Sequence, residues 1–289
     1  MNLTDYNEIQ ELLRHNNFRF SKSMGQNFLI APWVPEQIAD SAGLDDQTAV
    51  LEIGPGVGCL TEQLSKRAAK VLAVELDRSL EGVLRETMSG CENVELLFGD
   101  ILKQDIPALV RDHFRDTRAV VCANLPYNVT SPLLTALLRA ECFETITVMI
   151  QREVARRICA QANTPDYGAF SLFVQWYTEP ELLFDVPPHC FHPQPKVTSS
   201  VIRLKKREEK PFAVSDEAFL FKMIRAAFNQ RRKTLPNALA SGLGLERAQI
   251  EETLTRCGLD PRVRGEALDM AAFVRIADEL ARKNLPDLP

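Results

Sequence analysis

The sequence predicts a doubly wound α/β domain with a mostly parallel sheet and an antiparallel edge strand, followed by a small all-helical domain. Three observations carry this. Between residues 49 and 150, five short apolar runs alternate with longer amphipathic stretches, the pattern of repeated strand–helix–strand units. Glycine-rich or acidic residues close successive runs, as expected where a ligand lies across the carboxyl edge of an open sheet. After Lys205 the strand pattern stops, and four amphipathic segments follow, separated by Gly and Pro.

Residues 49–53, 71–74, 94–98, 119–122 and 146–150 read as strands because each is short and dominated by Val, Ile and Leu. Residues 60–69, 80–88 and 132–140 have the spacing and length of crossover helices. Helices are also expected at 152–162 and 170–176. Residues 181–186 and 199–204, joined by the Pro-rich stretch 187–195, suit a late antiparallel pair at the sheet edge. Helices over 216–228, 232–240, 247–257 and 270–281 make the second domain. The charged stretch 205–210 is the natural linker, giving domains of 1–205 and 206–289.

With 45% hydrophobic and 25% charged side chains over 289 residues, the chain has the composition of an ordinary soluble two-domain protein. No run approaches the roughly 20 apolar residues needed to cross a bilayer. The N-terminus lacks a basic and then apolar leader, so a cytoplasmic protein without membrane association is expected. The seven cysteines, at 59, 91, 122, 142, 159, 190 and 257, are odd in number and form no CxxC or Cys/His cluster. Neither disulfides nor a metal site are therefore expected.

The net charge of −5 argues weakly against a nucleic-acid partner, but its distribution matters more. Residues 1–205 carry 19 basic and 26 acidic side chains, whereas the remainder carries 15 basic and 13 acidic. Dense basic groups occur at Lys205, Lys206 and Arg207, at Arg231, Arg232 and Lys233, and at Arg152, Arg156 and Arg157. A single group of this kind is usually a solvated face; three, two of them flanking the domain junction, point to a polyanion.

Residues 51–58 (LEIGPGVG) place Gly54, Gly56 and Gly58 between a strand and a helix, where a ligand can approach the backbone and the helix N-terminus. The spacing is G-x-G-x-G; a dinucleotide fingerprint would need glycine at 59, which is Cys59. Glu75 closes the next strand, where a carboxylate can accept both hydroxyls of a ribose. Asp100 closes the third, placed to accept a hydrogen bond from the exocyclic amine of an adenine. Turn residues explain the glycines but not a carboxylate at each following strand end. A nicotinamide cofactor is the main competitor, although nothing nearby suggests a hydride acceptor.

The run 119–123 (AVVCA) ends in Asn124, Leu125, Pro126 and Tyr127. An amide oxygen and the carbonyl ahead of a proline can accept hydrogen bonds from an exocyclic amino group, and the neighbouring ring can stack on the base that carries it.

Five segments taken in order resemble the small-subunit (16S) ribosomal RNA adenine N6,N6-dimethyltransferase family, over nearly the whole chain. They are 23–29 (SMGQNFL), 52–58 (EIGPGVG), 124–127 (NLPY) with 131–133 (SPL), 191–199 (FHPQPKVTS) and 228–235 (FNQRRKTL). Cys59 and Pro236 depart slightly from the pattern. The resemblance implies a Rossmann-like fold that binds S-adenosyl-L-methionine, with Gln26, Asn27 and the Leu29 backbone covering its methionine end. Gly54, Gly56, Gly58, Glu75 and Asp100 would hold the rest, and Asn124 would touch both cofactor and target. Asn124 and the Leu125 carbonyl would accept the N6 hydrogens of an extruded adenine, with Tyr127 stacked on one face and Phe191 on the other.

The substrate so implied is a pair of adjacent adenines in a 3′-terminal hairpin loop of small-subunit RNA, within an assembling 30S particle and acted on by a monomer. Arg231, Arg232 and Lys233, with Lys205, Lys206 and Arg207, would contact its phosphates. Related large-subunit enzymes of the macrolide-resistance type share the glycine motif and an NLPY-like element, but residues 131–132 and 231–235 favour the small-subunit branch. A noncatalytic ribosome assembly factor is the alternative of a different class, and the intact Glu75 and residues 124–127 argue against it. A DNA adenine methyltransferase would usually carry an acidic residue at 124 and a target-reading domain.

Overall fold

The structure, a computed structural model, describes residues 1–18, 26–115, 117–230 and 232–284. In chain order it contains α1 (Tyr6–His15), β1 (Phe28–Leu29), α2 (Trp33–Ser41), β2 (Thr48–Ile53), α3 (Cys59–Ser65), β3 (Lys70–Glu75), α4 (Glu81–Thr87), β4 (Val94–Phe98) and α5 (Ile106–Phe114). Then come β5 (Arg118–Asn124), α6 (Thr130–Ala140), β6 (Thr145–Gln151), α7 (Arg152–Cys159), α8 (Ala169–Tyr177), β7 (Thr178–Val186), β8 (Phe191–His192) and β9 (Ser199–Lys206). The chain closes with α9 (Glu217–Asn229), α10 (Leu235–Leu243), α11 (Arg247–Arg256) and α12 (Met270–Asn284).

The five apolar runs form the parallel part of one seven-stranded sheet of order β4-β3-β2-β5-β6-β9-β7. Val50, Leu51, Val71, Leu72, Val121, Cys122 and Val148 are fully buried, so these strands carry apolar residues without alternation. Each such aliphatic side chain contributes roughly 1.5–3 kcal/mol on burial. Strand β9 runs antiparallel to β6, with Gln151 opposite Ser199 and Thr145 opposite Lys205. Its other neighbour is β7, the edge strand. Strand order reverses between β2 and β5, whose carboxyl ends therefore emerge side by side, with helical connections leaving in opposite directions.

Helices α1, α2 and α5 were not anticipated from the sequence. Asp5 caps α1 by accepting from the amides of Asn7 and Glu8, and Ile9, Leu12 and Leu13 face inward. Asp105 caps α5 in the same way through Ala108 N. Helix α10 starts at Leu235 rather than at 232, because Pro236 occupies the first turn, where its missing N–H costs nothing.

Two compact units are present: residues 1–155 with 179–206, and residues 156–178 with 207–289. The contiguous division at 205/206 thus differs by one segment, 156–178, which belongs with the helices. Its packing explains why. On α8, the rings of Phe173, Trp176 and Tyr177 lie 5.4, 5.9 and 6.4 Å from that of Phe221 on α9. The Tyr167 hydroxyl donates to the Leu268 carbonyl at 2.9 Å.

Candidate active site

The glycine turn after β2 is held in the left-handed region, with φ of +73° at Gly54, +62° at Gly56 and +92° at Gly58. Space is restricted as well: a Cβ on Gly56 would meet Phe28 Cδ1 at 3.1 Å, and one on Gly58 would lie 2.6 Å from Met88 Cε. Glycine is required on both counts. The Gly54 amide donates to the Val74 carbonyl at 2.9 Å, fastening the turn to β3.

Glu75 ends β3 with only 7% of its surface exposed. Its Oε2 accepts from Gly56 N at 3.3 Å and its Oε1 from Asp77 N at 2.8 Å. Burial pushes its carboxyl above the usual range, and the amides of Asp77 and Gly56 oppose that shift. Asp100 Oδ1 accepts from Leu102 N at 3.0 Å, capping a single 3-10 turn after β4. Gln26 Nε2 donates to Asp77 Oδ2 at 2.6 Å, tying the segment before β1 to the loop after Glu75. Gln26, Asn27, Leu29, Gly54, Gly56, Glu75 and Asp100 line one cavity, which Asn124 and Tyr127 also line; Gly58, also expected at the cofactor, does not line it.

Glu52, within the 52–58 motif but without an expected role of its own, lines the same cavity from within β2. It is 1% exposed, and its Oε2 has no hydrogen-bond partner. Burial, reinforced by the nearby Glu75 charge, pushes its carboxyl up to about 8. The signal available in the sequence was an acidic residue inside an otherwise apolar strand.

Asn124 is the last residue of β5, opposite Met149 of β6, and Leu125 N continues the ladder by donating to the Met149 carbonyl at 3.1 Å. The Pro126 carbonyl accepts from Val129 N at 3.3 Å and Thr130 Oγ1 at 3.0 Å, which joins the loop to α6. Among the described residues, neither the Asn124 side-chain amide nor the Leu125 carbonyl is engaged by another group. Pro126 Cγ and Cδ lie 3.9 Å from where a Gly54 Cβ would stand, so the two loops pack against each other. Tyr127 is half-buried, its hydroxyl 2.5 Å from Ser199 Oγ at the start of β9. Burial raises its phenol, with Ser199 opposing.

One expected position meets a different geometry. The resemblance implies Phe191 on one face of the target base, but its ring is 2% exposed in the core and does not line the cavity. It is held there because β8 pairs with β1, Leu29 opposite Phe191. Lys205 and Lys206 end β9, whose first residue touches Tyr127; they therefore lie roughly 20 Å along the strand, at the amino edge of the parallel strands. Lys206 Nζ donates to the Glu141 carbonyl, and Arg207 Nε donates to the Gln175 carbonyl at 3.0 Å. Arg232 and Lys233 are exposed ahead of α10, and Arg231 lies outside the described residues.

A family model for ribosomal RNA adenine dimethylase matches residues 17–282. The ribosomal RNA small subunit methyltransferase A of Geobacillus thermodenitrificans (strain NG80-2) is 46% identical over 276 residues, covering 94% of each chain. The protein of the same name from Clostridium perfringens (strain SM101 / Type A) is 44% identical over 282 residues, 96% of this chain and 98% of that one. Among solved structures, the 23S rRNA methyltransferase ErmE aligns with a TM-score of 0.67 and 28% identity over 88% of this chain and all of its own. A dimethyladenosine transferase from Plasmodium falciparum shares the fold, with a TM-score of 0.71 and 24% identity over 89% of this chain and 98% of its own. The glycine turn, the carboxylates at the following strand ends and the loop 124–127 are thus found in a chain that belongs to the ribosomal RNA adenine dimethylase family.

Proposed function

We propose that this protein dimethylates N6 of adenines in small-subunit ribosomal RNA, using S-adenosylmethionine. The observation that carries the reading is the juxtaposition at β2 and β5. A glycine cradle and an Asn-Leu-Pro-Tyr loop, with two acceptors unengaged among the described residues, emerge from adjacent strand ends and line the same cavity.

The residues present fit the cofactor. Gly54 and Gly56 bring backbone without a side chain to the cavity, Glu75 and Asp100 offer carboxylates at successive strand ends, and Gln26, Asn27 and Leu29 line the same cavity. When bound, S-adenosylmethionine supplies an electrophilic methyl carbon attached to a sulfonium.

Asn124 Oδ1 and the Leu125 carbonyl accept the two hydrogens of the adenine amine. An arylamine nitrogen is a poor nucleophile because its lone pair is spread into the ring. Holding its hydrogens out of the ring plane localises that pair, and the same two oxygens stabilise positive charge as it develops. Tyr127 offers its ring to the extruded base, worth roughly 1–3 kcal/mol and offsetting part of the unstacking cost. Asn124 takes no proton. The proton passes to water, because a protonated arylamine is strongly acidic.

The target implied by the family resemblance is a pair of adjacent adenines in the 3′-terminal hairpin loop, presented by an assembling 30S particle to a cytoplasmic monomer. Unpaired bases in a folded RNA suit this recognition. The large-subunit reading is disfavoured because ErmE is 28% identical, against 44–46% for the small-subunit relatives. A noncatalytic assembly factor would have no use for acceptors left free at Asn124 and Leu125. The test is to offer labelled cofactor with unmethylated small subunits, large subunits and duplex DNA. Labelled N6,N6-dimethyladenosine from small subunits alone supports the reading; label elsewhere, or none, refutes it.

A further inference from the structure

Four acidic side chains line the cavity, those of Glu52, Glu75, Asp77 and Asp100, and among the described residues no lysine, arginine or histidine does. A cavity so lined favours a cation. Three of the four carboxyls are already engaged. Glu75 accepts from the amides of Gly56 and Asp77, and Asp77 accepts from Gln26 Nε2 and the Ser79 amide. Asp100 accepts from the Leu102 amide, with the exposed Lys103 Nζ 3.8 Å away and outside the lining. Glu52 differs, because its buried Oε2 has no hydrogen-bond partner.

The titratable groups that act on Glu52, or feel its charge, are Glu75 from β3, Cys59 from α3 and Cys122 from β5, none of them a base. Burial and the Glu75 charge hold its carboxyl at about 8; the Thr61 hydroxyl of α3 opposes them without closing a hydrogen bond to Oε2. At neutral pH the cofactor-free protein therefore keeps an uncharged acid in the wall of an acidic cavity. A positive charge entering that cavity favours the ionised form, whereas a neutral occupant does not.

Resting on the cofactor proposed above, we infer that Glu52 senses its charge: it gives up a proton to admit S-adenosylmethionine, which bears a sulfonium, and keeps that proton beside neutral S-adenosylhomocysteine. The two ligands share the same adenosine and amino-acid ends and differ by one methyl group and one positive charge. Engaged acceptors such as Glu75 and Asp100 meet parts common to both, so they hold substrate and product alike. A carboxyl that ionises only for the cation tightens binding of the substrate and not of the product. The proton given up on binding is taken back from solvent once transfer has left a thioether, so the overall reaction still releases one proton, that of the amine. A carboxyl with a purely structural role would hold its proton with either occupant.

The experiment is calorimetry of each ligand binding to full-length wild type and Glu52→Gln at pH 7, in buffers of different ionisation enthalpy and without RNA, so that no methyl group is transferred. Relative to the variant, the wild type is expected to release roughly one-half to one further proton with S-adenosylmethionine and none with S-adenosylhomocysteine. Glu52→Gln should bind S-adenosylhomocysteine within about twofold of wild type, which also certifies folding, and S-adenosylmethionine roughly two- to tenfold more weakly. Should the variant not fold, the wild type alone decides: between pH 6 and 8, its affinity for S-adenosylmethionine relative to S-adenosylhomocysteine must rise with pH. A flat or falling ratio would overturn the inference, as would the same proton count for both ligands or an unchanged count in Glu52→Gln. Failure of the wild type to bind either ligand would instead sink the cofactor reading itself, and is distinguishable from binding of both without a proton difference.

Discussion

The Tyr127 hydroxyl lies 2.5 Å from Ser199 Oγ, joining the loop after β5 to the first residue of β9. Ser199 is fully buried, so it has no water to exchange for this partner. Strand β9 is two positions from β5 in the sheet, with β6 between. The bond therefore fixes the ring that we propose stacks on the target base against a strand that contributes nothing to the cavity lining.

Removing either hydroxyl should loosen that ring. Ser199→Ala and Tyr127→Phe are each expected to lower kcat/KM for the RNA about 2–10-fold, the scale of one net hydrogen bond. Affinity for S-adenosylhomocysteine should not change. The double variant should be little worse than either single one, because both remove the same interaction. Additive losses in a double-mutant cycle would separate the two residues.

Asn124→Ala should retain measurable cofactor binding while slowing single-turnover methylation by about 10²–10³, as for the loss of one preorganised partner. Full rate in this variant would remove the side chain from the reaction.

Gly58→Ala places a methyl group 2.6 Å from Met88 Cε at a φ of +92°. The strain alone is of order 1–3 kcal/mol. A lower midpoint in urea unfolding is expected, together with weaker cofactor binding. Met88→Ala in the same background should recover part of the steric loss and none of the strain.

Glu52 gives a pH dependence whose sign can be worked out. Its folded-state value, about 8, lies above the ordinary 4.5, so the folded protein holds a proton that the unfolded chain has released. Its contribution to stability is complete below the unfolded value and is lost as pH rises from about 4.5 to about 8. Glu52→Gln should therefore stabilise the cofactor-free protein at pH 8, by a few kcal/mol at most, with the gain shrinking towards pH 5. Parallel denaturant titrations at the two pH values check this; an equal effect at both would contradict it.

The central parallel strands were legible because a strand buried on both faces must be continuously apolar, as Val71 to Val74 show. The lining of the cavity was partly legible because Gly54, Glu75 and Asp100 interrupt those runs at strand ends. Other features depend on tertiary information. Phe191 in a Pro-rich stretch gives no local sign of the β1–β8 pairing that buries it. The place of Lys205 and Lys206, at the edge of the sheet away from Tyr127, follows from the antiparallel direction of β9, which no local pattern announces. Segment 156–178 reads as part of the first domain because nothing in its sequence announces that Trp176 packs on Phe221. Ser199 closes the 191–199 motif, but its partner is 72 residues away.

The central claim is that Asn124 Oδ1 and the Leu125 carbonyl receive the adenine amine beside the Gly54 turn. Determining the structure with S-adenosylhomocysteine and a small-subunit hairpin RNA tests it most directly. The account predicts the extruded adenine N6 within about 3.2 Å of both oxygens, with the base against Tyr127. A target amine held by other groups, or a base seated away from Asn124, would contradict it.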